Sequence, residues 1–103
     1  MTIFVDEMVN NLWKLRGKIV KNCHMWSDQS TEELLEFAES IGLKKGWLQR
    51  SRKGLVHFDL VERLREKAIK KGALPVTNQR AVEMWRMIIT FENAKKRHKN
   101  EPN

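Results

Sequence analysis

Residues 30–42, STEELLEFAESIG, constrain the fold more than any other stretch. Ser30 followed three positions later by Glu33 is a capping box: the serine hydroxyl accepts from the Glu33 amide while the glutamate reaches back to the serine amide. Leu34, Phe37, Ala38 and Ile41 then recur at i, i+3, i+4 and i+7, one face of a helix. Gly42 suits the left-handed residue that ends one. The spacing predicts a helix over 31–41 whose apolar stripe must be covered by the rest of the chain.

The flanking segments offer that cover. TIFVDE, residues 2–7, is β-branched and aromatic before it turns acidic, and reads as a short buried strand. Residues 8–18 have no clear period and read as a loop that packs by its apolar residues. KIVKNCHMWS, residues 18–27, is a second strand, interrupted near Asn22. KKGWLQRSRKG, residues 44–54, is a basic loop, and LVHF after it a short strand. Asp59 followed by Glu62 marks a second helix, with Asp59 as its N-cap, a stripe of Val61, Leu64, Ala68 and Ile69, and Gly72 as its stop. ALPV, residues 73–76, is a strand that Pro75 assigns to an edge or an end. Thr77 caps a third helix reaching about Lys96. Its apolar residues run from Ala81, Trp85 and Ile88 around to Val82, Met84, Met87, Ile89 and Phe91. A helix apolar over so much of its circumference needs a second partner, which predicts a homo-oligomer formed through helix three. Strands alternating with helices predict a small α/β or α+β domain spanning 1–97, with a sheet of three to four strands and three helices. Residues 98–103 are expected to form a flexible basic tail.

Charge narrows the partner. The chain has 103 residues and a net charge of +7, which favours an anionic ligand such as a nucleotide or nucleic acid. A single cysteine, Cys23, excludes an intrachain disulfide and a four-cysteine zinc site, and fits a reducing compartment. Ile3 to Val5 is broken by Asp6 and Glu7, so no signal peptide is read, and no apolar run spans a membrane. A cytoplasmic location is expected, the host cytoplasm if the chain is phage-encoded.

The candidate site residues are polar groups beside strands and cations in the loop. Asp6 ends a strand, where ligands of open α/β sheets bind. His24 with Asp28, and His57 with Asp59, are two histidine–aspartate pairs. They suit hydrogen bonding to a ligand or acid–base work. With Asp6 they could also make a two-histidine, carboxylate metal set. Each histidine has only a carboxylate close by in sequence and Asp59 has a capping role, so no metal ligands and no cofactor are assigned. Cys23 alternates with His24 and reads as a small buried hydrophobe. In the basic loop, Arg50 and Arg52 are the expected phosphate clamp, and Trp47 either stacks on a base or tucks into the core. No phosphate-binding loop or dinucleotide fingerprint is present.

MTIFVDE, CHMWSD, LLEFAESIGLKKGWLQ, VHFDL and KAIKKGA occur in an order that resembles an uncharacterised family of short bacterial and phage proteins. The resemblance spans residues 1–76 and leaves helix three outside. This chain has Phe4 and Phe58 where that family often carries tyrosine, and Leu48 where it carries phenylalanine. The resemblance implies a shared fold and a shared polar site at Asp6, His24, Asp28, His57 and Asp59, but no known reaction. The expected function is binding of a phosphate-bearing ligand, to sequester a nucleotide or to modulate host functions, with a host protein as a further partner. The alternatives are a metal-dependent hydrolase or nuclease using Asp6, His24 and His57, and a protein-interaction factor acting through helix three.

Overall fold

The computed structural model describes residues 2–100, with side chains throughout except at 11–15 and 95–100. The chain runs β1 (Ile3–Val5), β2 (Val9–Leu15), β3 (Lys18–Ser27), α1 (Thr31–Ser40), a 3-10 turn (Lys45–Trp47), β4 (Gln49–Arg50), β5 (Val56–Leu60), α2 (Glu62–Lys70), β6 (Leu74–Pro75) and α3 (Asn78–Asn100). The strands make one six-stranded sheet in the order β4-β5-β3-β1-β6, with β2 also pairing β3. β1 and β6 are parallel, and the other pairs are antiparallel. The class is α+β, a mixed sheet with three helices.

β3 organises the sheet. It is 10 residues long. Its first half pairs with β2, and its second half lies between β1 and β5. Side chains alternate along it, so Cys23 and Met25 turn to one face and His24 and Trp26 to the other. On the first face, Cys23 and Met25 join Ile3, Val5, Phe58 and Leu60, and α1 and α2 cover them with Leu34, Ala38, Ile41 and Ala68. α3 meets the second face, where Ala81 is buried and the Trp85 ring lies 5.3 Å from that of Trp26. Two helices on one face and one on the other leave the sheet between layers.

Several sequence expectations are corrected. Residues 9–15 are a strand, not a loop, joined to β3 through Arg16 and Gly17, both at positive φ (52° and 81°). Two consecutive positive φ values match the twist of a tight hairpin, but Arg-Gly lacks the asparagine or aspartate that usually announces one. β3 runs without a break through Asn22; the irregularity is a register shift between Val9 and Trp13 on its partner. Asp59 does not cap α2. The β3 ladder carries β5 on to Leu60, so the helix starts at Glu62 with Val61 as N-cap and no side-chain cap. The capping box of α1 is only half formed. Ser30 Oγ accepts from the Glu33 amide at 3.1 Å. The return arm is replaced by Ser27, whose hydroxyl donates to Glu33 Oε2 (3.1 Å) and accepts from the Ser30 amide (3.3 Å). α3 continues helically to Asn100, past Lys96 and into the expected tail, of which residues 101–103 lie outside the described residues.

Candidate functional site

Polar groups gather on the α3-facing side of the sheet because three strands deliver them in register. Asp6 follows β1, and its amide donates to the His24 carbonyl at 3.2 Å, which continues the β1–β3 pairing. Its carboxylate turns back on the same residue. Oδ1 accepts from the His24 amide (2.6 Å) and Oδ2 from His24 Nδ1 (2.8 Å). Arg65 Nε donates to the Asp6 carbonyl at 2.8 Å and fixes the strand end from α2. On the other side of β3, Asp59 stands directly opposite His24 in the ladder. His57, two residues earlier on β5, shares that face.

Hydrogen bonding assigns the tautomer that each imidazole adopts when neutral. His57 Nδ1 lies 3.1 Å from the Leu55 carbonyl, which can only accept, so Nδ1 carries the proton. His24 Nδ1 donates to a carboxylate by the same logic. Both Nε2 atoms are then left to face Asp59 Oδ1, at 3.9 Å from His24 and 3.6 Å from His57. Those separations are too long for hydrogen bonds. The second Asp59 oxygen is already engaged, accepting from Gln49 Nε2 at 2.8 Å. One donor atom from each of His24, His57 and Asp59 lies within 4.8 Å of the others, a group able to hold a metal ion.

Aromatic rings wall the cluster. The His24 ring lies 5.3 Å from that of His57 and 5.2 Å edge-on to Trp85, and Trp26 lies beneath Trp85. Asp6 and His57 are buried, while the His24 and Asp59 side chains keep 28% and 21% exposure, enough for solvent access. The hydrogen bond to Asp6 raises the His24 pKa above its ordinary value of 6.5, against the lowering effect of burial. Cys23, on the opposite face, is fully buried, and that burial pushes its thiol up to about 12.

A separate groove of about 520 Å3 runs beside α3. Met84, Met87, Ile88 and Phe91 form its apolar wall, and Arg50, Lys53 and Arg80 bring cations to its rim. The start of α1 and Asp28 line one end.

The structure brings Asp6, His24 and His57 together with Asp59, and leaves Asp28, Trp47, Arg50 and Arg52 apart from them. Asp28 ties down the amino-terminal strand, accepting from the Thr2 amide at 3.1 Å. Trp47 does not tuck into the core; it is 51% exposed, with Lys44 Nζ 5.7 Å from the ring centroid. Arg50 reaches the groove, donating to the Gly54 carbonyl at 3.4 Å. Arg52 is exposed and absent from the groove lining. Gln49 and Trp85 are members that sequence reasoning missed, and Asp59 was given to a helix cap instead. The signal for Asp59 was the His57-x-Asp59 spacing, which puts both on one face once the segment is a strand.

The chain belongs to the family described as Protein of unknown function (DUF4031), whose model matches residues 3–88. The match therefore extends beyond residue 76 and takes in Trp85 and the first half of α3. No curated protein and no solved structure matches the chain.

Proposed function

For this member of that family, we propose binding of a phosphate-bearing ligand, a nucleotide or a short stretch of nucleic acid, in the groove along α3. The observation that carries the reading is the pairing of Arg50, Lys53 and Arg80 with an apolar wall in a cavity of about 520 Å3. A guanidinium fork can hold two phosphate oxygens at once. An apolar wall with a few convergent polar groups suits a ring system, and the volume is that of a small-ligand site. Asp28 and Glu92 also line the groove and repel an anion, so the phosphate would sit toward Arg50 and Lys53. The net charge of +7 supports the same class of ligand. Such binding needs no reaction and would suit sequestering of a nucleotide or modulation of a host function.

Self-association through α3 is a second proposal, supported by the exposure of Met87 (69%), Phe91 (60%) and Val82 (39%). A two-fold dimer would cover them with the same helix of a second copy.

Calorimetry with mononucleotides and short oligonucleotides tests the ligand reading. Arg50→Ala should weaken binding by about 1.5–3 kcal/mol for each charged hydrogen bond lost, with the melting temperature of the free chain unchanged. A steep salt dependence would assign nucleic acid over a compact nucleotide. If Arg50→Ala and Lys53→Ala were both neutral for every anion that binds, the groove would not be the site.

A further inference from the structure

We infer that His24 Nε2, His57 Nε2 and Asp59 Oδ1 form a binding site for a divalent transition-metal ion, separate from the groove. Three independent features point to it. First, the donors converge without satisfying one another. The two Nε2–Oδ1 distances of 3.9 and 3.6 Å are beyond hydrogen bonding. An ion bound at about 2.0–2.2 Å from each atom would hold a tetrahedral donor pair roughly 3.4 Å apart, so the two nitrogen–oxygen separations need only a small contraction, and all three donor atoms already lie within 4.8 Å of one another.

Second, every donor is oriented by a partner on its far side. Asp6 accepts a hydrogen bond from His24 Nδ1–H, the Leu55 carbonyl accepts one from His57 Nδ1–H, and Gln49 donates to the other oxygen of Asp59. A carboxylate or carbonyl on the remote imidazole nitrogen is the arrangement that fixes metal-ligating histidines, because it sets the tautomer and raises the basicity of the bare nitrogen. Third, the donors sit on paired strands rather than on loops, with His24 and Asp59 opposite each other in the ladder. Their separation is thereby set by backbone hydrogen bonds.

The donor set selects the ion. Two imidazoles and one carboxylate suit zinc, cobalt, nickel or ferrous iron better than calcium or magnesium, which prefer all-oxygen shells. Cys23 cannot contribute a thiolate, since it faces the core. Three protein donors leave positions open for water or a ligand oxygen. The partial exposure of His24 and Asp59 gives that position access to solvent. This is the centre the hydrolase alternative requires, with Asp59 as ligand and Asp6 moved to the outer shell.

The rival reading is an Asp6–His24 pair that only staples β1 to β3, with His57 and Asp59 as neighbours. Cobalt(II) separates the two. Added to chelator-treated protein, it should bind one per chain and give visible absorption bands of a low-coordinate site. Zinc should displace it. Asp59→Asn and His57→Gln should abolish the bands while the far-ultraviolet circular dichroism stays that of the parent chain. Asp6→Asn should weaken the ion about 10- to 100-fold, as loss of an outer-shell partner does. Arg50→Ala, in the groove, should leave metal binding unchanged. Should the site variants fail to fold, nitrogen-15 spectra of the parent chain still decide, because zinc must shift the Nε2 resonances of both His24 and His57. No saturable cobalt or zinc binding below millimolar concentration would overturn the inference. So would binding that Asp59→Asn and His57→Gln leave intact, or that moves neither Nε2 resonance.

Discussion

Cys23 and His24 are adjacent in sequence and opposite in role, because strand alternation turns one into the core and the other onto the candidate site. Cys23 has no exposed surface, and burial raises its thiol to about 12, so almost no thiolate is available. Iodoacetamide should therefore leave the folded chain unmodified and label it only in denaturant, as mass spectrometry would report. Phe58 is likewise fully buried. Phe58→Ala should cost about 3–5 kcal/mol in urea unfolding. Phe37 is only half-buried against the same core, and its alanine variant should lose clearly less. An equal loss at the two positions would contradict the assignment of the core. At this scale Asp6 was legible as a polar residue at a strand end, and His24 and His57 as polar residues within strands. Asp59 was legible as a partner of His57 and through the family resemblance, but a capping role and a strand role compete for the same residue. Long-range pairing with β3, invisible in local sequence, decided for the strand.

Elements differ in how locally they are specified. α1 was legible almost to the residue, since its cap, stripe and glycine stop all lie within a short stretch. Ser30→Ala removes the one side-chain cap of α1 and should cost about 1 kcal/mol in chemical denaturation. The β2–β3 hairpin was illegible because its pairing comes from backbone bonds to a long partner strand and its turn sequence is atypical. Gly17 sits there at φ 81°, and a methyl group added to its Cα would meet only open space. Gly17→Ala should therefore cost about 1 kcal/mol from backbone strain alone, with no steric clash to add. A neutral result would mean that the turn adopts another conformation. α3 was legible as a helix and as one too apolar for a single partner. What it covers was not legible, since Trp85 reaches His24 from far along the chain.

As a whole, the molecule divides its sheet into a face that builds the core and a face that gathers His24, His57 and Asp59 beneath α3. α1 and α2 close the first face, and α3 only partly closes the second. Its residual apolar surface at Met87 and Phe91 predicts dimers by light scattering at tens of micromolar, reduced by Met87→Lys. A monomer at that concentration would count against self-association. The second face is a prepared site only if both imidazoles, when neutral, direct bare Nε2 atoms at Asp59, the tautomer that their Nδ1 hydrogen bonds to Asp6 and Leu55 select. Long-range proton–nitrogen correlation spectra of the metal-free chain, recorded at a pH where both rings are neutral, read this directly. The expected result is the Nδ1–H form for both His24 and His57, with both Nε2 atoms unprotonated. An Nε2–H form at either residue would contradict it, because that nitrogen would then be a donor to Asp59 and have no lone pair to offer an ion.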